Sequence, residues 1–377
     1  MKYRKLGNTG IEISALGFGC MRFPLKEDST IDKEKVRELI KYAVENGINY
    51  IDTALTYHNG TNEKVLGEVL KEEGLRDKIY LGTKLPVWKA ENEEHLEQIF
   101  EDQLASLQTD YLDLCFLHNM DYGNWETAKR LNVLDLFDRK IKEGKIRHIG
   151  FSCHGDFNNF KEICDAYNWE FCLLQFNYMD YDYQAGIAGV EYAAEKGLGL
   201  MIMEPLKGGQ LAKQPPESVQ KIWDRANKER SAARWGLAYL YNKAEVSCVL
   251  SGMNDMDMLK ENIETAEMYD IGCLSEEELA LYPEVKAEYE KLIKIPCTRC
   301  QYCIPCPMDV DIPANFEYYN MGHMYNSIES SRNFYNRPYF LTRKSTRCIG
   351  CGVCIEKCPQ HLNIPEYLKM ISDDWAK

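Results

Sequence analysis

Two short runs near the C-terminus hold eight of the fifteen cysteines in the chain. The first run consists of Cys297, Cys300, Cys303 and Cys306, followed by Pro307. The second consists of Cys348, Cys351, Cys354 and Cys358, followed by Pro359. Thiolates are soft metal ligands, and thiolates this closely spaced can reach neighbouring atoms of one compact metal centre. The two runs therefore predict metal binding.

The second run reads C-x2-C-x2-C-x3-C-P, which is the ferredoxin pattern of proteins that bind [4Fe–4S] clusters. The first run is one residue shorter before its last cysteine. In paired runs of this kind, the fourth cysteine of each run binds the cluster of the other run. We therefore expect one cluster on Cys297, Cys300, Cys303 and Cys358. We expect the other on Cys348, Cys351, Cys354 and Cys306.

Structural zinc is the alternative, because paired cysteines also suit a tetrahedral Zn²⁺ ion. Zinc sites typically use two pairs rather than two runs of four, so we favour iron–sulfur clusters. The N-terminus has no apolar stretch of a signal peptide, and we expect a cytoplasmic protein, in which disulfides are rare. We interpret the other seven cysteines as buried apolar side chains; among them Cys153 follows a candidate site residue.

Four polar residues lie at or just after apolar segments, namely Asp52, Tyr57, Lys84 and His118. Singly, Asp52 could be a cap, Lys84 a solvated loop residue and His118 a core histidine bonded to backbone. Together they could protonate a carbonyl oxygen. A nearby ammonium lowers the tyrosine pKa from its usual value of ~10, and a buried ammonium needs a carboxylate. We predict Tyr57 as the acid, supported by Lys84 and Asp52, with His118 donating to the substrate oxygen.

Eight short apolar segments would position these residues, each followed by a turn and a charged amphipathic stretch. They are ALGFGCM (15–21), NYIDTA (49–54), KIYLGTK (78–84), YLDLCFLH (111–118), IRHIGFS (146–152), FCLLQFNYM (171–179), GLGLMIME (197–204) and VSCVLSG (246–252). Such runs are typical of parallel strands buried on both faces. Eight strand–helix units in ~250 residues predict a (β/α)8 barrel, whose chemistry lies at the C-terminal ends of the strands.

An open doubly wound sheet is the alternative fold. It predicts a Gly-rich fingerprint that opens a helix, whereas LGFGCMRF has two glycines and no clear helix start. The opening KYRKLGNTGIEIS predicts a hairpin before the barrel. We expect the barrel over 1–273, an acidic linker helix over 274–294 that Pro283 could break, and a mostly helical cluster domain over 295–377.

The overall charge restricts the partners. The formal net charge is −14, which argues against nucleic acid or an anionic membrane surface as the main partner. No apolar run approaches the ~20 residues of a membrane span. We expect a small-molecule carbonyl or alcohol substrate, and a redox protein as a further partner.

The segments IDTALTYHNGTNEKVLGEVL, GTK, LDLCFLH and LLQFNYM resemble the signature segments of the aldo-keto reductases, over roughly residues 3–270. The C-terminal part resembles the dicluster ferredoxin domain that is fused to some of them. The resemblance implies a barrel that binds a nicotinamide dinucleotide and transfers hydride to an aldehyde or ketone. It also implies that Tyr57 is the acid and that Asp52, Lys84 and His118 support it.

The same resemblance implies the cofactor contacts. Ser152 and Gln175 would hold the nicotinamide carboxamide. The pyrophosphate would lie along Glu204, Pro205, Leu206, Lys207 and Gly208. The adenosine would be surrounded by Ser251, Gly252, Met253, Glu261 and Asn262.

Two departures from the family pattern matter. Glu204 stands where the family often stacks a tyrosine on the nicotinamide ring. Gly252 and Met258 stand where reductases that prefer the 2′-phosphorylated cofactor carry cations. Without those cations a 2′-phosphate lacks charge-assisted bonds, so we expect NAD(H) rather than NADP(H), although Lys260 could supply a cation.

The two halves differ in electron count, because a nicotinamide gives two electrons as a hydride and a [4Fe–4S] cluster carries one. A flavin could convert between them, and the sequence has no clear flavin motif. We expect an enzyme whose clusters exchange electrons. One alternative is an enzyme whose clusters are structural or sensory. The other is an electron-transfer or redox-sensing module whose barrel turns over little. We place Trp88 and Trp125 in loops that shape the substrate pocket or pack on the barrel rim. His58 and His154 could line the site, but we favour loop histidines without a role there.

Overall fold

The chain folds into two compact units. The computed structural model describes residues 1–226 and 229–375. The first unit comprises Met1–Gly208 and Arg234–Ser275, and the second comprises Gly209–Ala233 and the chain from Glu276 onward. In the part of the chain that is described, no helix has the length and apolar character needed to cross a membrane.

The first unit is built on a closed barrel of parallel strands. Within the described residues, its eight strands are β3 (Leu16–Gly19), β4 (Tyr50–Asp52), β5 (Tyr80–Leu85), β6 (Leu112–Met120), β7 (Ile146–Cys153), β8 (Phe171–Gln175), β9 (Gly199–Met203) and β10 (Val246–Ser251). Each strand pairs with the next in the chain, and β10 pairs with β3 to close the ring. The predicted (β/α)8 fold is confirmed, and the open doubly wound sheet is excluded.

Helices follow the strands, as buried parallel strands require. They are α1 (Lys33–Glu45), α2 (Asn62–Glu72), α3 (Glu93–Leu107), α4 (Tyr122–Arg130), α5 (Val133–Lys142), α6 (Phe157–Ala166), α7 (Gly186–Glu195), α9 (Ala232–Tyr241) and α10 (Met256–Met268). Helix α1 buries Val36, Leu39, Ile40 and Ala43, the face that its 3.6-residue periodicity predicts. Asp32 caps its first turn by accepting a hydrogen bond from the Lys35 amide.

The predicted N-terminal hairpin forms and packs against the barrel interior. Strands β1 (Tyr3–Lys5) and β2 (Glu12–Ser14) pair antiparallel. Leu6, Ile11 and Ile13 join inward-facing barrel side chains in one buried cluster. The hairpin thereby adds apolar cover to the interior, at the side away from the ends of the strands that carry the polar residues.

Two glycines make room for an aromatic ring inside the barrel. A Cβ on Gly17 would lie 2.8 Å from the ring of Tyr50, and a Cβ on Gly82 would lie 2.7 Å from its hydroxyl. The fully buried Tyr50 ring fills this space, and its hydroxyl donates to Asp52 Oδ2 at 2.8 Å. These glycines are therefore required by close packing, and the packing orients a carboxylate at the strand end.

The second unit is helical, as expected. Its helices are α8 (Glu217–Trp223), α11 (Glu276–Lys291), α12 (Ile312–Met324), α13 (Ile328–Tyr335), α14 (Val353–Glu356) and α15 (Ile364–Trp375). Its core includes Phe316, Tyr335, Ile371 and Trp375, packed with several cysteines of the two runs. The expected break at Pro283 is wrong, because α11 continues through that residue.

Candidate functional site

The four predicted catalytic residues lie at the C-terminal end of the barrel. Asp52 ends β4, Lys84 is one residue from the end of β5, and His118 lies near the end of β6. Because these strands are neighbours in the ring, the three side chains converge. Tyr57 begins the 3-10 turn Tyr57–Gly60, in which His58 and Asn59 adopt left-handed backbone angles, φ 49° and 53°. Two such residues in succession make a tight turn close to the site.

Lys84 joins the other groups. Its Nζ forms a short salt bridge with Asp52 Oδ1, and it donates to the Thr53 carbonyl at 2.8 Å and to Tyr57 Oη at 3.1 Å. The side chains of Lys84 and Asp52 are 2% and 4% exposed, so water does not screen their attraction. The chain Asp52–Lys84–Tyr57 predicted from the sequence is therefore present as direct contacts.

The electrostatics differ in one respect from the expectation. Burial raises the pKa of Tyr57, and although the Lys84 ammonium opposes this rise, the net shift is upward. The expected net lowering is wrong for the protein without cofactor, because desolvation of the phenolate outweighs the attraction of one ammonium. Burial alone would lower the pKa of Lys84, but the Asp52 carboxylate and Tyr57 oppose it, and the net pKa is raised. Tyr57 is therefore a protonated acid beside a permanent cation.

His118 is held neutral. Burial lowers its pKa well below the usual value, and the Lys84 ammonium and His154 lower it further. Its ring meets the Tyr57 ring edge-on, with centroids 6.5 Å apart, and lies 5.0 Å from the Trp88 ring. Its Nδ1 is buried without a hydrogen-bond partner among the described residues. A neutral imidazole carries one N–H, so His118 can donate one hydrogen bond to an oxygen placed beside Tyr57.

A network behind Lys84 was missed by the sequence reasoning. Buried Glu63 accepts hydrogen bonds from Thr83 Oγ1 at 2.5 Å and from Gln103 Nε2 at 2.7 Å, and Gln103 also donates to the Lys84 carbonyl at 3.1 Å. The network fixes the backbone of β5 that carries Lys84. Tyr50 was missed as well, although two-residue alternation along β4 places it on the same side as Asp52.

Glu63 makes stability depend on pH. Burial raises its pKa to about 7. Protonated Glu63 therefore stabilises the folded state, and this stabilisation is fully present below its pKa in the unfolded chain, about 4.5. The free energy of unfolding falls by roughly 3 kcal/mol as the pH rises through 7. Glu63→Gln stays neutral at every pH. We expect the Tm of the variant minus that of the wild type to rise by several degrees between pH 5 and pH 8.

Thermal unfolding at the two pH values checks this expectation. Glu94→Gln, a change at an exposed position on α3, should leave the Tm difference independent of pH. Parallel pH profiles for Glu63→Gln and the wild type would show that Glu63 is ionised when folded.

The proposed carboxamide contacts lie on neighbouring strands. Ser152 Oγ, on β7, accepts from the Asn119 amide at 2.7 Å. Gln175 ends β8 and donates through Nε2 to Asp180 Oδ2 at 3.0 Å. Asp180 also pairs with Lys207 at 2.5 Å, which holds the pKa of the Asp180 carboxyl down against the effect of burial. The Gln175 amide is thereby oriented with its Nε2 engaged by protein.

Three of the predicted cofactor residues lie around a cation that the sequence reasoning missed. Arg22, just after β3, lies 3.9 Å from Glu204 Oε1. A Cβ added to Gly208 would lie 3.2 Å from the Arg22 guanidinium, and one on Gly252 would lie 3.1 Å from its side chain. Arg22 therefore spans the ends of β9 and β10. Its only sequence signal is that it follows the first barrel strand.

Other predicted contacts have protein partners or are buried. Asn262 donates to Ser251 Oγ at 2.9 Å, and Glu261 lies 3.7 Å from Arg234. Pro205, Leu206 and Met253 are buried.

The two tryptophans that were expected at the pocket or its rim differ in position, and both nearby histidines contact amide side chains. Trp88 is partly exposed next to His118, and His154 Nδ1 accepts from Gln184 Nε2 at 3.2 Å. His58 contacts Asn62 at 2.8 Å. Trp125 is not in a loop: it lies in α4, is 2% exposed and donates to Glu162 at 2.9 Å. Trp125 therefore packs on the barrel exterior.

The eight run cysteines line two cavities in the second unit. One cavity is lined by Cys297, Cys300, Cys303 and Cys358, with Ile312 and Phe316 among its apolar walls. The other is lined by Cys306, Cys348, Cys351 and Cys354, and Cys303 reaches it as well. Each cavity thus gathers three cysteines of one run and the fourth of the other, which are the two sets that the sequence predicts.

The donor set fits clusters bound by thiolates. Among residues 1–226 and 229–375, no group of three or more His, Cys, Asp or Glu is arranged to hold a single metal ion. The four cysteines of each predicted set line one cavity, which suits a ligand of several atoms. Burial raises the pKa of Cys303 to about 11, so cluster binding would have to release its proton.

The remaining cysteines behave as buried apolar residues, as expected. They are Cys20, Cys115, Cys153, Cys164, Cys172 and Cys248, with Cys273 partly exposed. Burial raises the pKa of the Cys153 thiol to about 12, so its position after Ser152 does not make it a nucleophile.

Comparison with known proteins agrees with both units. Residues 15–282 match the model of the aldo/keto reductase family, and residues 296–362 match that of the 4Fe-4S dicluster domain. The uncharacterized oxidoreductase YqkF of Bacillus subtilis is 26% identical, over 77% of this chain and 99% of its own length. The L-galactose dehydrogenase of Arabidopsis thaliana is 28% identical, over 75% and 95% respectively.

Solved structures give the same result. The holo form of the aldo-keto reductase AKR11C1 from Bacillus halodurans is 27% identical, covers 76% of this chain and 96% of its own, and has a TM-score of 0.64. The barrel, the convergent strand ends and these matches lead to one conclusion: the chain belongs to the aldo/keto reductase family and carries a 4Fe-4S dicluster domain at its C-terminus.

Proposed function

We propose that the protein transfers a hydride between a nicotinamide dinucleotide and an aldehyde or ketone, and that two [4Fe–4S] clusters exchange single electrons with another protein. The observation that carries the first part is the contact chain Asp52–Lys84–Tyr57, which ends beside neutral His118. When bound, the nicotinamide supplies or accepts the hydride at the substrate carbon.

In the reduction direction the chain's own residues handle the proton. The Tyr57 hydroxyl donates its proton to the substrate oxygen as that oxygen gains negative charge. Lys84 lies 3.1 Å from the Tyr57 oxygen and stabilises the phenolate that remains. Asp52 keeps Lys84 charged, and the His118 N–H holds the substrate oxygen near the tyrosine.

The cofactor contacts form three groups in this proposal. Ser152 and Gln175 hold the carboxamide. The segment 204–208 follows the pyrophosphate, and Arg22 adds a cation there. The residues around Ser251 and Asn262 enclose the adenosine.

We expect NADH to be preferred over NADPH. Met258 is 48% exposed on α10 and offers no charge to a 2′-phosphate. Met258→Arg should raise the ratio of kcat/KM for NADPH to that for NADH about tenfold, because a charge-assisted bond contributes ~1.5–3 kcal/mol and exposure reduces it. Steady-state kinetics with both nucleotides measure the ratio.

Met268→Arg is the matched control, since Met268 is 56% exposed at the other end of the same helix. It should leave the ratio unchanged. A wild-type preference for NADPH would contradict the expectation and would direct attention to Lys260 or Arg22.

The clusters need a cofactor that converts the two electrons of a hydride into single electrons, or they have a role separate from hydride transfer. Cys303 lines both cavities, so the two clusters would lie next to each other and could pass single electrons between them. A flavin would couple this one-electron path to the hydride. Anaerobic addition of NADH or NADPH, followed by absorption and EPR spectra of the clusters, tests the coupling.

That experiment separates the alternatives. Reduction of added carbonyl compounds with bleaching of the clusters by nucleotide would support both halves of the proposal. Carbonyl reduction with unchanged clusters would make the barrel self-sufficient and the clusters structural or dependent on a partner. Nucleotide binding without reduction of any carbonyl compound would favour an electron-transfer or redox-sensing module.

A further inference from the structure

The loop of the second cysteine run presents an unusual surface. We define the second-run surface as residues 346–357, which include Cys348, Cys351 and Cys354. Cys351 is itself exposed. Added Cβ atoms on Gly350 and Gly352 would meet no other atom within 4 Å, so nothing else in the described protein covers the loop at these points.

Apolar side chains surround the exposed cysteine. Ile349 is 66% exposed, Val353 41% and Ile355 37%; Ile349 and Val353 also line the cavity of the second cysteine set, whereas Ile355 does not. Single exposed apolar residues are ordinary, but three within seven residues of a ligand loop expose an apolar surface that water does not favour. Such a surface is typical of the centre of a docking site.

The charge around the surface is opposite to that of the whole chain. The chain has 45 Lys and Arg against 59 Asp and Glu, whereas residues 295–363 have seven against five. Arg343, Arg347 and Lys357 are exposed at or beside the surface, and Glu356 is the acidic residue within it. The net positive charge of this segment attracts an acidic protein, whereas the net negative charge of the whole chain opposes its approach.

We propose that the second-run surface is the docking site of a small acidic one-electron carrier protein. The proposal rests on the proposed function, since it requires that the clusters exchange electrons. One electron leaves the reduced carrier, which is oxidised, and enters the cluster held at this loop, which is reduced; no proton or bond is transferred. Electron-transfer complexes of this kind bury little area and depend on electrostatic attraction, which suits a small apolar centre with a basic edge.

The test uses the full chain with its clusters, purified anaerobically. A photoreduced acidic ferredoxin is mixed with the oxidised protein in stopped flow, and its binding is measured separately by calorimetry. In Arg347→Glu/Lys357→Glu we expect the second-order rate and the affinity to fall about tenfold at low salt, and the difference to vanish at high salt. Ile355→Ser, which changes an exposed side chain outside the cavity lining, should weaken binding at every salt concentration.

Matched controls are Lys221→Glu and Ile271→Ser, whose side chains are 70% and 54% exposed. Both should behave as the wild type. Reduced methyl viologen, which needs no protein docking, should reduce the clusters of every variant equally.

Distinct results would overturn the proposal. Equal rates of reduction by ferredoxin in the wild type and the surface variants would contradict the docking site. Reduction of the clusters by viologen in the same proteins would still support the proposed function. An equal rate with a basic one-electron carrier would contradict the charge argument. Self-association that Ile355→Ser abolishes would assign the surface to a second copy of the chain. Clusters that viologen cannot reduce would contradict the proposed function itself.

Discussion

Tyr57→Phe is expected to lower kcat for carbonyl reduction by about 10²–10⁴-fold while nucleotide affinity stays unchanged. The change removes one oxygen atom, the group that would donate the proton. It keeps the aromatic ring that contacts Lys84 and His118. Steady-state rates with a reactive aldehyde and a fluorescence titration with NADH measure the two quantities.

The control for this substitution is Tyr122→Phe. Tyr122 is 51% exposed, lies just after β6 and donates to Asp156 at 2.9 Å, so its loss should leave the reduction rate unchanged. A normal rate in Tyr57→Phe would exclude it as the acid. Loss of nucleotide binding together with rate would point to a structural role of the hydroxyl in holding Lys84.

The pH profile gives an independent check of the same residue. The pKa of Tyr57 is raised and that of His118 is lowered in the protein without cofactor. Reduction should therefore not titrate near 6.5, where an ordinary histidine would, and should decline only in alkaline solution. Alcohol oxidation needs the phenolate and should increase as pH rises.

Cys358→Ser is expected to remove the cluster of the first run, although Cys358 belongs to the second. Cys358 lines one cavity with Cys297, Cys300 and Cys303. Two [4Fe–4S] clusters contain about eight iron atoms per chain, and the variant should retain about four. Its remaining EPR signal should match that of Cys300→Ser, in which a cysteine of the first run is changed.

Three comparisons complete this experiment. Cys306→Ser should leave the same signal as Cys351→Ser, because those residues share the other cavity. Cys273→Ser, outside both runs, should retain all the iron. If the signal of Cys358→Ser instead matched that of Cys351→Ser, each run would bind its own cluster and the crossed arrangement would be wrong.

Short-range pattern was enough to predict much of the fold. The alternation of strands with helices predicted the barrel. The positions of Asp52, Lys84 and His118 after successive apolar segments predicted that they lie at neighbouring strand ends. Boundaries and breaks were less certain, because they depend on packing. Helix α11 passes through Pro283, and the spacing of residues did not show that the helical part after Val310 divides into α12 and α13.

Residue types and their spacing along the chain were sufficient to predict which chemical groups are available and which of them come together. Two runs of cysteines can come together only in a few ways, and residues at equivalent ends of parallel strands must meet at one end of a barrel. These are constraints of chain geometry, so they can be inferred from spacing without coordinates.

The pKa shifts and the contacts between distant residues depend on the packed fold. Burial reversed the expected pKa shift of Tyr57, and it keeps His118 neutral. Arg22 and Glu204 are 182 positions apart in the sequence but close at the barrel mouth, and Trp125, expected in a loop at the pocket or on the rim, lies buried in α4. Desolvation and contacts between distant segments arise from the packed fold, which no local pattern encodes.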